Sequence, residues 1–259
     1  MSQAIPSTYR SSRFDVRVLD VPHAAAAGVE LQRIAFDFDI ARESSVFEFL
    51  ADDERARAAR FLRPEDAVRY STTRAVLRES IAACLDMRPS HVRFRYDDAG
   101  RPSIADSPAG FDFNVSHSGG FALIALSHGR RVGVDIESKR AALDWRSLAQ
   151  AVFAPSEHAC VEALPEAARL DAFFAVWTAK ESLLKAIGVG IAGGLDRFSV
   201  LGDVSTAPRV PILDASDSPS LGVHAFDACW CDAPAGYAAC VAWSKSSNAL
   251  NASNAPADR

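Results

Sequence analysis

The sequence predicts an α+β fold built as two similar lobes, and three observations carry that expectation. Strand-like alternation, helical periodicity and alternation again run through the chain twice, changing over near residues 128–130. The two longest helical patterns share an echo, Leu77-Arg78-Glu79-Ser80-Ile81 against Ala179-Lys180-Glu181-Ser182-Leu183. A length of 259 residues allows one large domain or two lobes near the usual size, and a hydrophobic content of 49% is enough to build a real core.

In the first round, alternation over 13–19 and 31–38 predicts strands, and two helical segments follow. The second of these is the clearer. Pro64 suits a first helical turn with Glu65 and Asp66 beside it, while Leu77, Ile81, Cys84 and Leu85 keep one apolar face and Arg74 and Arg78 share a neighbouring stripe. Strands are expected at 92–96, 111–115 and 121–127. The second round begins with a strand at 132–136, continues with helices near 143–152 and 156–164 and a long helix over 166–187, and closes with strands at 197–201, 222–231 and 237–243. The lobes are therefore placed at 13–128 and 129–243, with a ligand cleft favoured between them. Residues 1–12 and 244–259 are polar and lack an apolar period, so they are expected to be mobile tails.

Composition removes several classes of function. A net charge of −5 with a pI near 5.7 argues against general nucleic-acid binding, which uses a strongly basic domain. No window approaches the roughly 20 apolar residues of a membrane span, and residues 1–17 lack a signal-peptide stretch, so a cytoplasmic protein is expected. The five cysteines are odd in number and form no Cys-x-x-Cys pair, which indicates neither a disulfide framework nor structural zinc. Arg55, Arg57, Arg60, Arg63, Arg69, Arg74 and Arg78 nevertheless make a local basic excess. It reads either as a solvated helix face or as a receptor for a small ligand carrying several phosphates.

Three segments carry chemistry. In Val132-Gly133-Val134-Asp135-Ile136-Glu137 the period of two sends Gly133, Asp135 and Glu137 to one face, so two carboxylates project side by side. Gly133 is expected to leave room there for a ligand or metal; the bland alternative is an edge strand with one wet face. On the long helix, Glu181 and Lys185 lie one turn apart beside the stripe of Leu170, Phe173, Phe174, Trp177, Leu184 and Ile187, which places Glu181 near the core boundary unless the two form a surface ion pair. Three carboxylates with positions left for water and phosphate oxygens suit Mg²⁺ and not zinc. The third segment, Phe113-Asn114-Val115-Ser116-His117-Ser118-Gly119-Gly120, is expected to leave a strand and enter a turn that presents backbone N–H groups, a hydroxyl and an imidazole to a phosphate. A serine nucleophile is not supported, since no Gly-x-Ser-x-Gly elbow surrounds it.

Together these segments, in this order and including Trp177-Thr178-Ala179-Lys180-Glu181-Ser182-Leu183-Leu184-Lys185, resemble the 4′-phosphopantetheinyl transferases, specifically the larger two-lobed Sfp-like branch. Weaker likeness at 59–67 and at Gly100-Arg101-Pro102 extends the resemblance over roughly residues 50–200. It implies two α+β lobes related by pseudo-twofold symmetry, coenzyme A in the cleft between them, and transfer of its phosphopantetheine arm to a carrier-protein serine with release of 3′,5′-ADP. By motif match, Asp135, Glu137 and Glu181 would hold Mg²⁺ against the pyrophosphate, and Ser116, His117 and Arg101 would contact the pyrophosphate and nucleotide. Arg57 and Arg74 are the candidates for the 3′-phosphate side. The family usually has Gly-Lys-Pro where this chain has Gly100-Arg101-Pro102, which keeps the charge and alters the donor geometry. Glu181 would be the base, directly or through a water on the metal, with Lys185 stabilising phosphate charge and Lys180 either assisting or purely structural.

The second substrate implied is an acyl or peptidyl carrier domain, for which Arg140, Trp145 and Arg146 are candidate contacts; an ordinary helix with Trp145 in the core explains them equally well. A monomer is expected, because one chain supplies both lobes. Two other readings compete, a catalytically silent coenzyme A-binding protein and a metal-dependent nucleotide pyrophosphohydrolase. The intact Asp135, Glu137, Glu181 and Lys185 speak against the first.

Overall fold

The computed structural model describes residues 11–41, 43–97, 100–105, 110–140, 142–190, 194–201, 209–214 and 221–246. Most of both expected tails, with residues 1–10 and 247–259, lies outside the described residues. Within them Ser11 donates to Glu79 and accepts the amides of Arg13 and Phe14.

The architecture is α+β, as expected. A four-stranded antiparallel sheet has the order β1 (Asp15–Leu19), β2 (Val29–Ala35), β6 (Phe121–His128), β5 (Phe111–Ser118). A three-stranded antiparallel sheet has the order β10 (Phe226–Trp230), β11 (Tyr237–Ser244), β7 (Val132–Ser138). Two short ribbons pair β3 (Phe94–Tyr96) with β4 (Pro102–Ile104) and β8 (Phe198–Ser199) with β9 (Leu213–Asp214). The helices are α1 (Pro22–Ala26), α2 (Asp52–Ala59), α3 (Pro64–Leu85), α4 (Trp145–Val152), α5 (Pro155–Ala163) and α6 (Glu166–Ile187).

Three apolar clusters stack these elements in layers. Ala75, Val76, Leu77 and Ile81 of α3 pack on Ile34, Phe111, Phe113, Ile124 and Leu126 of the first sheet. The opposite face of that sheet, Leu31, Leu123 and Ala125, meets Val132, Val134, Ile136, Val241 and Trp243 of the second. The far face of the second sheet, Ala228, Cys240 and Ala242, receives Phe173, Phe174, Val176, Leu183 and Leu184 of α6. Strand alternation thus lets one sheet bury both faces. α6 has no Gly or Pro within it and stops at Gly188, whose φ of 92° is the left-handed conformation a glycine supplies at a helix end.

The sequence echo corresponds to two matched buried ion pairs. Arg78 of α3 meets Glu54 of α2 at 2.7 Å and donates to the carbonyls of Pro89 and Val92. Lys180 of α6 meets Glu157 of α5 at 2.5 Å and donates to the carbonyls of Val152 and Leu195. Each glutamate sits in the first turn of its helix and accepts the amide of the residue three before it, Ala51 or Ala154, at 2.8 Å. Each cation also lies over a phenylalanine, Phe94 or Phe198.

Candidate active site

The site is built where β5 and β7 run side by side in the same direction without a backbone ladder. Side chains of β5 take the ladder's place: Asp112 accepts the amide of Val132 at 2.9 Å, Asn114 that of Val134 at 3.0 Å and Ser118 that of Ser138 at 3.1 Å. Alternate residues of a strand share a face, so Asp112, Asn114, Ser116 and Ser118 all reach this seam. They satisfy an edge of β7 that would otherwise be buried with unpaired amides.

This corrects the expectation that β5 ends at residue 115. Ser116, His117 and Ser118 still pair with Leu123, Ala122 and Phe121 of β6, so the segment presents strand side chains rather than the amides of a turn. The space beside Gly133 is also not a ligand's. A Cβ there would lie 2.0 Å from the Ser182 carbonyl oxygen and 2.4 Å from the Ala186 nitrogen, so the missing side chain admits the backbone of α6.

That close approach brings α6 onto the carboxylate face of β7. Asp135, 3% exposed, accepts the Ser116 hydroxyl at 2.8 Å and the Lys185 ammonium at 2.6 Å on one oxygen, Oδ1. Lys185 also donates to Ser116 Oγ and to the Val134 carbonyl, both at 3.2 Å. Glu181 is 5% exposed. Asp135 Oδ2 and Glu181 Oε1 are both buried without a hydrogen-bond partner. Burial pushes Glu181 up to about 7, against the pull of Lys185 and with the repulsion of Asp135 and Glu137. Half-buried Glu137 is also raised, chiefly by burial, although the Ser118 hydroxyl donates to it at 2.8 Å.

A metal fits this chemistry in one respect and needs an exchange in another. Two buried, unpartnered carboxylate oxygens in an all-oxygen donor set, with Glu137 beside them, are what a hard divalent cation satisfies. Among the described residues, however, no three His, Cys, Asp or Glu side chains form a ready metal cage, and the Lys185 ammonium supplies the positive charge at Asp135.

The arginine run divides by function. Arg78 is core, while Arg55 and Arg60 donate to carbonyls of their own segment. Exposed Arg57 and largely buried Arg74 come together over one ring, 5.2 and 5.7 Å from the Tyr70 centroid. Arg74 also donates to the Tyr96 hydroxyl at 3.0 Å and leaves a buried Nη1 unpartnered. Arg69 donates to the Gly119 carbonyl at 2.7 Å. His117 stands at the exposed end of β5, and desolvation, with Arg69 and Lys185 nearby, lowers it below its ordinary value.

Two expected contacts have other partners. Lys180 is fully buried on the opposite side of α6 in its pair with Glu157, and desolvation lowers its affinity for a proton. It packs the helix and does not face the seam. Arg101 straps the seam: its guanidinium donates to the Lys185 carbonyl, to Asp112 at 2.9 Å and to the Val132 carbonyl at 2.9 Å. Arg101→Lys, which cannot reproduce this fork, is expected to lower stability by about 1–2 kcal/mol in urea unfolding. An unchanged midpoint would show that the strap is dispensable. Trp145 is buried against Phe173, and Arg146 lies over it while paired with Glu166, so of the three candidate carrier contacts Arg140 and Arg146 reach the surface. A separate cavity of about 420 Å³ beside Arg13, Phe49, Glu79 and Met87 includes none of the seam residues.

Sequence reasoning missed Asp112, Asn114, Ser118 and Tyr237. The period-two placement of Asp112, Asn114, Ser116 and Ser118 was the available signal.

Comparisons with known proteins place the chain in a family. The profile of the 4′-phosphopantetheinyl transferase superfamily matches residues 131–242, and that of the 4′-phosphopantetheinyl transferase N-terminal region matches residues 41–129. The chain is similar to 4′-phosphopantetheinyl transferase HetI of Nostoc sp. strain PCC 7120, 38% identical over 166 residues that cover 63% of this chain and 70% of the relative. It is similar to 4′-phosphopantetheinyl transferase Sfp of Bacillus subtilis strain 168, 32% identical over 153 residues, 59% of this chain and 66% of the relative. It also resembles the L-aminoadipate-semialdehyde dehydrogenase-phosphopantetheinyl transferase of Schizosaccharomyces pombe, 33% identical over 174 residues, 61% of this chain and 66% of the relative.

Proposed function

This chain belongs to the 4′-phosphopantetheinyl transferase superfamily, and from that premise we propose how its seam moves a phosphopantetheine group from coenzyme A to a carrier protein. The observation that carries the proposal is the pair of buried carboxylates Asp135 and Glu181, each with one unpartnered oxygen, beside the partly exposed Lys185.

Asp135, Glu137 and Glu181 would hold Mg²⁺, which would neutralise pyrophosphate charge. Arg57 and Arg74, gathered over Tyr70, take the 3′-phosphate side of coenzyme A; a polyanion there would satisfy the buried Arg74 donor. His117 and the Ser116 hydroxyl hydrogen-bond the nucleotide and pyrophosphate, and Arg101 acts on them by fixing the seam. Glu181 accepts the proton of the carrier serine, directly or through a water. The serine oxygen forms a bond to the β-phosphorus as the bond from that phosphorus to the bridging oxygen breaks, and 3′,5′-ADP leaves. Lys185 moves from Asp135 to the phosphate oxygens, where its charge is worth most as negative charge shifts to the leaving group.

The lobes at 13–128 and 129–243 are related by a pseudo-twofold axis, a reading supported by the matched pairs Arg78–Glu54 and Lys180–Glu157. A monomer is supported by both sides of the seam coming from one chain. Among the described residues no helix is long and apolar enough to cross a membrane, and all five cysteines are free, which supports a reducing, cytoplasmic setting.

Intact-mass analysis of an apo carrier protein incubated with this protein, coenzyme A and Mg²⁺ tests the reading. The expected result is a phosphopantetheinyl mass gain that EDTA removes. A gain that survives EDTA would overturn the metal's role, and formation of 3′,5′-ADP without any carrier would point to hydrolysis instead.

A further inference from the structure

Ser118 and Tyr237 connect the two sheets next to Glu137, and the mechanism above uses neither. Ser118 Oγ accepts the Ser138 amide at 3.1 Å and stands 2.8 Å from Glu137 Oε2. The amide occupies a lone pair of the hydroxyl, so its proton is directed to the carboxylate. Glu137 is thereby held by a partner that is itself fixed to β7.

Tyr237 fixes the other end of this arrangement. Strand β5 passes into β6 through Gly119, whose φ of 54° and lack of a side chain let the Tyr237 hydroxyl come close; a Cβ there would lie 2.3 Å from it. The Gly120 amide donates to that hydroxyl at 2.9 Å, and the Tyr237 ring meets Phe121 edge-on with centroids 5.0 Å apart. Tyr237 is also the ladder partner of Ser138. A closed circuit results, from the Tyr237 hydroxyl through the turn to Ser118, on to Ser138, and back to Tyr237 across the strands.

We propose that Ser118 and Tyr237 are positioning residues that orient Glu137 for the divalent cation, with Tyr237 clamping the turn of the first sheet from the second. The proposal rests on the reading that Asp135, Glu137 and Glu181 hold that cation. Partners that orient a ligating carboxylate commonly contribute about 10- to 100-fold in metal affinity or activity.

The test is Mn²⁺ binding followed by electron paramagnetic resonance, with coenzyme A present, alongside kcat and KM for the carrier. Ser118→Ala and Tyr237→Phe are each expected to weaken Mn²⁺ binding by about 10-fold and to lower kcat with KM for the carrier unchanged. Ser118→Thr restores both, because it keeps the hydroxyl. In a Glu137→Gln background, Ser118→Ala has no further effect on Mn²⁺ affinity. Asp135→Asn separates the two levels of the argument. If it weakens Mn²⁺ while Ser118→Ala and Tyr237→Phe leave wild-type affinity, the positioning role is overturned and the metal reading stands. If Asp135→Asn has no effect on Mn²⁺, the metal reading itself fails. A melting temperature close to wild type in Tyr237→Phe shows that lost affinity is not lost folding; a large drop in melting together with unchanged affinity of the folded fraction also overturns the proposal.

Discussion

Glu181→Gln is expected to lower kcat for carrier modification by about 10²- to 10⁴-fold while 3′,5′-ADP still binds, because the side chains proposed for the nucleotide, Arg57, Arg74 and His117, are unchanged. The same substitution is expected to flatten the pH dependence of stability in metal-free protein. Folded Glu181 keeps its proton to about 7, whereas the unfolded side chain releases it near its ordinary value of 4.5. The folded state therefore binds more protons between those values, and its stability is full below about pH 4.5 and falls as pH rises to about 7. The loss attributable to this one carboxyl is on the order of 3 kcal/mol. Gln does not titrate, so the gap between variant and wild type should move in the variant's favour across that window in EDTA. Chemical denaturation at pH 5 and pH 8 reads it directly. Equal pH slopes for the two proteins would show that the glutamate is not desolvated in the way its burial implies, and an undiminished kcat would remove it as the base.

Gly133→Ala is the second large effect. The added methyl would meet backbone atoms, the Ser182 carbonyl oxygen and the Ala186 nitrogen, and neither can rotate away as a side chain would. Helix α6 must retreat from β7, at a cost of about 3 kcal/mol or more. Because that contact sets Lys185 at 2.6 Å from Asp135, transfer activity should fall together with stability. Thermal unfolding and the intact-mass assay check this jointly. A variant that melts like wild type would mean that α6 can yield at Gly133 without loss, and full activity in a destabilised variant would uncouple the packing from the site.

Much of the fold and the site is legible in the sequence. Period-two alternation places Asp135 and Glu137 on one face of a strand, and helical spacing places Glu181 and Lys185 one turn apart beside an apolar stripe. These are local regularities, and local regularities survive into the structure. The ends of elements are less so, since β5 runs on through Ser118 only because β6 offers it partners across the hairpin.

Periodicity along the chain was enough to place the long helices α3 and α6, strands β5, β6, β7 and β11 and the carboxylate-bearing segments, whereas the short α1, β4 and β9 carry too few residues to show a period. Tertiary structure alone decided which of two lysines on one helix serves the site. Lys180 and Lys185 stand about 140° apart around α6. Only the position of Glu157 on α5 turns the first into a buried structural cation, while Asp135 on β7 draws the second into the seam. Likewise, periodicity assigned Gly133 to the carboxylate face but could not say whether ligand or helix fills the space above it. The physical reason is common to both cases. A repeat in the chain fixes the direction in which a side chain leaves the backbone, whereas its partner, its burial and its proton affinity depend on groups remote in sequence that only packing brings within reach.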